Sequence, residues 1–277
     1  MSEARRMLVD GVVAGVVDAS DRGLAYGDGL FETIAFVAGR APLWERHMAR
    51  LAAGCTRLGL PAPDARLLAD EAARVAAGEL RSVVRICLTR GRGARGYAPP
   101  PRTVPTRIVA AHPAPVPDAD GQRRGIRVRL CNLRLAAQPA LAGLKHLNRL
   151  EQVLARDEWD DPAIGEGLLR DADGRLVSAT AANLFLVRAG VLQTPALDRC
   201  GVAGVARAQV LAWHAGCQVR EIEMGDLMLA DEVFLTSSVR GVVPVTALDG
   251  RSWPVGPLTR TLQGHWRDLG LGLEVLA

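Results

Sequence analysis

One lysine stands alone in this chain of 277 residues. Of its 34 lysines and arginines, only Lys145 is a lysine. A chain that uses arginine wherever a positive charge suffices keeps a lysine where a guanidinium cannot substitute. Arginine is always protonated, whereas a lysine amine can lose its proton when desolvated and then act as a nucleophile or a base, or join a carbonyl as an imine. Composition alone does not separate that reading from chance, because a single lysine has to stand somewhere.

A second stretch has the residue types for anion recognition. Arg90-Gly91-Arg92-Gly93-Ala94-Arg95-Gly96-Tyr97 offers guanidinium groups on a glycine-rich loop. A phosphate-cradling loop leads from a strand into a helix, and here prolines follow instead, so the loop fails the context that a nucleotide site requires. An anionic small molecule is a better use for a few of these arginines. The net charge of +4 is mild and the arginines are dispersed among only two tyrosines and four phenylalanines, so nucleic acid is not an expected partner. The five cysteines contain no C-x-x-C pair, which suggests neither a disulfide framework nor a metal site. No apolar run reaches bilayer length and no secretory segment is evident, so the chain reads as a soluble cytoplasmic protein with no membrane partner.

These residues need elements to position them. Met7 to Val17 reads as a hairpin turning at Asp10-Gly11. Leu30 to Val37 is strand-like, Trp44 to Leu58 has helical periodicity with Gly59 as its stop, and Asp64 to Ala77 reads as a second helix. Strands follow at Val83 to Thr89 and Arg107 to Ala111. The proline run after His112 marks a linker over residues 113–123, dividing a smaller N-terminal α/β domain (1–112) from a larger C-terminal domain (124–277). The second segment reads as a strand at Ile126 to Leu130 and a helix from Asn148 to Trp159. Strands follow near Gly167 to Arg170 and Asn183 to Val187, then a helix after Gly204. Strands at Val233 to Thr236 and Val242 to Val245 precede a closing helix at Pro257 to Leu269. The fold class is therefore α/β (α+β) in two domains.

Lys145-His146-Leu147-Asn148-Arg149-Leu150-Glu151-Gln152 resembles the Schiff-base lysine segment of fold-type IV enzymes that use pyridoxal 5'-phosphate. That group is D-amino-acid aminotransferase-like and includes branched-chain aminotransferases and aminodeoxychorismate lyases. The resemblance extends to Asp21–Glu32, to His47-Met48-Ala49-Arg50-Leu51, to Ala182-Asn183-Leu184-Phe185, to Thr194-Pro195 with Gly201–Gly204, and to Ala230–Phe234. No one stretch is distinctive; their order and spacing carry the likeness. The unbroken run from Lys145 to Leu154 and the loop at Arg90–Tyr97 are most similar to the lyases.

The resemblance implies a role for each matching residue. Lys145 would hold the aldehyde of the cofactor and carry the proton. Arg50, the backbone N–H groups of Val202, Ala203, Gly204 and Val205, and the Ser238 hydroxyl would hold its phosphate, helix starts being favourable for anions. Arg95 and Tyr97, with Phe31 nearby, would receive the substrate carboxylates. Tyr97 and Thr33 would assist catalysis, although a strand threonine facing a neighbour looks the same in sequence. Tyr26 fits either the site or the core, and His146 has no assignment. The implied reaction converts aminodeoxychorismate to 4-aminobenzoate and pyruvate by elimination, in a homodimer.

One position departs from the pattern. Relatives place a glutamate five residues before the asparagine of N-L-F, paired with the pyridine nitrogen of the cofactor; here that position is Ser178. An opposite charge at contact range shifts a pKa by roughly 1–3 units, so its loss leaves the ring a weaker electron sink. Elimination tolerates that better than amino transfer, because the leaving group drains the electrons at once. The rival readings are an aminotransferase of the same fold, acting on branched-chain or D-amino acids, and a cofactor-binding protein without turnover.

Overall fold

The computed structural model describes residues 6–13, 15–114 and 119–272. Contacts group the chain into two units. One is Met1–Pro115 with Lys145–Asn148; the other is Val116–Leu144 with Arg149–Ala277. The lysine segment therefore groups with the first unit, not with the C-terminal residues among which the sequence division places it.

In the first unit, β1 (Met7–Val9) and β2 (Val12–Val13) form the expected hairpin, turning at Asp10 and Gly11, both at positive φ. A short helix not expected from the sequence, α1 (Arg22–Tyr26), starts where the Asp21 carboxylate accepts the Gly23 amide at 2.7 Å. Then come β3 (Gly29–Val37), α2 (Trp44–Leu58), α3 (Ala65–Ala76), β4 (Arg81–Thr89) and β5 (Arg107–Pro113). Helix α2 ends as anticipated at Gly59, whose φ of 61° is left-handed and free of a Cβ clash. The strands form an antiparallel sheet in the order β2-β1-β5-β4-β3. Leu30, Ile34 and Phe36 of β3 bury against Met48, Leu51 and Cys55 of α2 and Leu68, Ala72 and Val75 of α3. This alternation sends Glu32 to the helix face of the sheet and Phe31 and Thr33 to the other.

The second unit opens with α4 (Ala119–Arg124) and β6 (Ile126–Leu135). Both ends of the expected linker thus carry structure: Pro113 pairs with Ser82 in β5, and Asp120 and Gly121 lie in α4. Residues 115–118 of that stretch lie outside the described residues. Next are α5 (Leu150–Arg156), β7 (Ile164–Asp171), β8 (Leu176–Ala179), β9 (Asn183–Arg188), β10 (Val191–Pro195), α6 (Val205–Trp213) and β11 (Gln218–Arg220). The last elements are α7 (Met224–Met228), β12 (Glu232–Ser237), β13 (Gly241–Leu248), β14 (Arg251–Ser252) and α8 (Pro257–Asp268). The mixed sheet runs β11-β10-β9-β12-β13-β6-β7-β8, with β14 beside β13. At its centre Phe185 and Phe234, paired across β9 and β12, stack at 5.0 Å on one face, and Leu184, Leu186 and Leu235 bury into the core on the other. Among the described residues, no helix is long and apolar enough to cross a membrane, and all five cysteines are free.

Candidate active site

Residues 145–148 run along the edge of β3. The Phe31 amide donates to the Lys145 carbonyl at 3.0 Å and the Leu147 amide to the Gly29 carbonyl at 3.0 Å. The Asn148 side chain donates to the Gly27 carbonyl at 3.1 Å and latches the segment at its end. Lys145 is half-buried, with Nζ 4.2 Å from the centre of the Phe31 ring. The Arg85 guanidinium lies 4.3 Å from the same ring. Phe31 is thus a platform for the amine rather than a bystander in the core. Thr33 shares its face of β3 and stands opposite Arg85.

The other face of β3 carries a cluster that the sequence reading did not assemble. Glu32 is 1% exposed and accepts from His47 Nδ1 at 2.6 Å and from Arg50 Nε at 2.8 Å, with Arg50 Nη2 also bound to it. His47, Arg50, Leu51 and Gly54 recur at helical spacing along α2, so this face of the helix presents the two donors to the strand. Arg50, expected at a phosphate, is therefore oriented by a buried carboxylate. Burial pushes Glu32 up, but the hydrogen bonds from His47 and Arg50 outweigh it and hold the carboxyl below its ordinary value. Burial depresses His47, against the pull of Glu32, so the ring is neutral and donates through Nδ1. Its Nε2 is fully buried and has no partner.

The pH dependence of stability follows. The unfolded chain takes up protons on His47 and Glu32 at higher pH than the folded chain does, so acid favours unfolding. The His47 contribution is full above the unfolded histidine value of about 6.5 and fades as the pH falls toward its lower folded value. Urea midpoints should fall between pH 7 and pH 5 in the natural protein and fall less in His47→Gln. An equal slope in both would contradict the assignment.

The glycine-rich loop is pinned from below. Arg90 donates to the Leu58 and Gly59 carbonyls at the end of α2 (2.7 and 3.2 Å) and to Asp28 at 2.8 Å. Gly91 sits at φ 82°, and a Cβ there would meet the Val104 carbonyl oxygen at 1.9 Å, so the glycine serves a turn rather than a phosphate. Arg95 is exposed and has no protein partner among the described residues. The Tyr97 ring is 86% exposed and lies 5.5 Å from that of Tyr26, whose hydroxyl accepts from the Gly96 amide at 3.1 Å. Tyr26 thus supports the loop.

In the second unit, Ser178 on β8 is 7% exposed and pairs with Leu169 of β7. The buried acid of the paired strand, Glu166, does not replace the missing glutamate. Its oxygens are bound by Thr180, the Gly167 amide and Arg240. Asn183 donates to the Val202 carbonyl at 2.9 Å, and the Gly143 amide and carbonyl pair with Gly201 and Ala203. This fixes the strand-like approach of Val202 and Ala203 to Gly204, the N-cap of α6, where no side chain caps the helix and Val205 begins the first turn. The first-turn N–H groups of such a helix are open to an anion. Ser238 is half-buried. Thr236, two residues before it and opposite Asn183, is 1% exposed with an unpartnered Oγ1. The T-S-S run was the available signal for it. A buried hydroxyl left unpaired costs roughly 1–3 kcal/mol, which favours a bound acceptor or donor at Thr236. Within the first unit the half-buried Lys145 amine is the kind of group that an aldehyde cofactor requires, and within the second unit hydroxyls and a helix start without a side-chain cap are the kinds that a phosphate requires.

The amino-transferase class IV model matches residues 29–248. The chain belongs to the class IV aminotransferase family. Among class IV proteins it is similar to the aminodeoxychorismate lyase of Vibrio harveyi, with 36% identity over 265 residues, 93% of this chain and 98% of that one. It is also 32% identical to a putative branched-chain-amino-acid aminotransferase of Methanocaldococcus jannaschii, over 91% of each chain. The solved 4-amino-4-deoxychorismate lyase of Pseudomonas aeruginosa superposes with a TM-score of 0.91 at 49% identity, covering 95% of this chain and 98% of that one. The branched-chain aminotransferase of Escherichia coli, at 23% identity and TM-score 0.85, shares the fold.

Proposed function

We propose that this class IV enzyme is a pyridoxal-phosphate-dependent lyase that converts aminodeoxychorismate to 4-aminobenzoate and pyruvate. The observation that carries the reading is the sole lysine, half-buried on the Phe31 ring, in a chain whose similarity to lyases spans nearly its whole length. When bound, the cofactor supplies an aldehyde that condenses with amines and a ring that withdraws electrons from the adjoining carbon. Lys145 would be the residue that holds that aldehyde, and its amine, once free, would be the group that carries the substrate proton. Val205 and its first-turn neighbours, with Val202, Gly204 and Ser238, hold the phosphate, whereas the Ala203 amide, expected among these donors, is already taken by the Gly143 carbonyl at 3.0 Å; Arg50, kept in place by Glu32, adds positive charge. Arg95 and Tyr97 receive the carboxylates, and Thr33 shares the Phe31 face to steady proton movement.

The buried Ser178 hydroxyl would be the partner of the ring nitrogen, at the position where relatives place a carboxylate that would keep that nitrogen protonated. This favours elimination, whose leaving group takes the electrons directly, over amino transfer. The deciding assay follows pyruvate and 4-aminobenzoate from aminodeoxychorismate alongside amino transfer from branched-chain and D-amino acids to 2-oxoglutarate. The lyase signal should dominate, and Ser178→Glu should raise the amino-transfer signal. Dominant amino transfer in the natural protein would reverse the assignment. No gain in the variant would place the bias elsewhere.

The unit of function is a homodimer in the cytoplasm. Leu150, Val153 and Leu154 form one stripe of α5 and are 75%, 59% and 59% exposed, an apolar face suited to a second copy. Sedimentation at the mass of one 29.5 kDa chain would contradict this.

A further inference from the structure

Within the first unit, the D-R-G-L-A-Y and R-G-x-G-x-R-G-Y stretches are interlocked through one side chain. Arg22 is 4% exposed, yet its guanidinium is directed at the loop rather than the core. Nη1 donates to the carbonyls of Gly96 at 2.9 Å and Ala98 at 3.3 Å, and Nη2 to that of Tyr97 at 2.9 Å. Nε donates to Asp28 at 2.9 Å, the carboxylate that also receives Arg90. The Arg22 amide donates to the Gly91 carbonyl at 2.9 Å, and the Gly93 amide to the Ser20 carbonyl at 3.2 Å. Four residues on, Tyr26 holds the Gly96 amide and lies 4.8 Å beneath the Arg22 guanidinium. The backbone is therefore gripped on both sides of Arg95, while the Arg95 side chain itself is exposed and has no partner among the described residues.

Three successive carbonyls around one planar fork form a site that guanidinium fits and ammonium does not. Their effect is to fix the loop that carries the exposed Arg95. A loop held in its binding conformation loses less entropy when the ligand arrives.

We propose that Arg22 is a positioning residue for substrate carboxylate recognition, clamping the Gly96–Ala98 backbone so that Arg95 is presented in place. The inference rests on the lyase reading, in which Arg95 meets a carboxylate. A residue that merely supported the fold would lower activity without selecting KM.

The test is steady-state kinetics of the cofactor-loaded protein with aminodeoxychorismate, for the natural chain, Arg22→Gln and Gly93→Ala. In the second variant the new Cβ would meet Arg22 Cδ at 2.7 Å and Cγ at 2.9 Å, displacing the clamp while leaving Asp28 intact. KM should rise about tenfold in both with kcat within about twofold, and amides of residues 94–98 should exchange faster without substrate. An unchanged KM overturns the proposal, whatever the loop amides do, and so does a fall in kcat alone. If Arg22→Gln does not fold, Gly93→Ala decides by the same criteria. A natural chain with no turnover of aminodeoxychorismate overturns the lyase reading and this role with it. An unchanged KM in an active enzyme overturns this role only.

Discussion

Lys145→Ala should lower turnover of aminodeoxychorismate by about a thousandfold or more, the scale expected when one side chain both carries the cofactor and moves the proton. No other lysine can take over, since the chain has none. The loss should be in kcat, because the groups expected to hold phosphate and carboxylates lie on α6, the β12–β13 turn and the glycine-rich loop and remain in place. The variant should fold normally. Lys145 makes its backbone bond to Phe31 through its own carbonyl, which alanine keeps. Its side chain is half-buried and contributes a contact rather than a core layer. Thermal melts and single-turnover rates separate the two effects. A variant that keeps more than about a tenth of the natural kcat would remove Lys145 from the chemistry.

Arg95→Ala should raise KM for aminodeoxychorismate by about 10- to 100-fold, since a hydrogen bond to a charged group contributes roughly 1.5–3 kcal/mol. The exposed, unpartnered guanidinium means that the substitution removes no internal contact, so the melting temperature should hold. An unchanged KM would move carboxylate recognition elsewhere. A KM effect accompanied by a large fall in melting temperature would make Arg95 structural, which its exposure contradicts.

The parts of the fold that could be read ahead were those set by local rules. The alternation of β3 and the 3.6-residue repeat of α2 are written in consecutive residues, and Gly59 ends the helix by its own backbone preference. Errors arose where a distant partner decides. Pro113 looks like the start of a linker, yet it pairs with Ser82 and extends β5. Asn148 looks like the start of a helix, yet its side chain is drawn to Gly27, and α5 begins only at Leu150. The helix also stops at Arg156 rather than Trp159, because the Glu158 side chain is used to bind the amides of Asn132 and Leu133.

The site was legible to a similar degree. Lys145 was marked by being the single residue of its type. Glu32, His47 and Arg22 were not separable from ordinary motif neighbours, because their roles exist only as pairings across many residues of chain. The 15-residue separation of Glu32 from His47 and the 74-residue separation of Arg22 from Gly96 have no periodic signature. Arg50 illustrates the same limit: its helix position was clear, but the carboxylate that fixes it was not. Thr236 was passed over for Ser238 because adjacent hydroxyls on one strand end look alike until burial distinguishes them.

The most direct test of the central claim is chemical. The purified protein is supplied with pyridoxal phosphate, reduced with borohydride and mapped by peptide mass. The account predicts one reduced cofactor adduct, on Lys145, with loss of the visible absorption band in the same step. An adduct confined to the α-amino group, or a protein that binds no cofactor at any tested concentration, would contradict it.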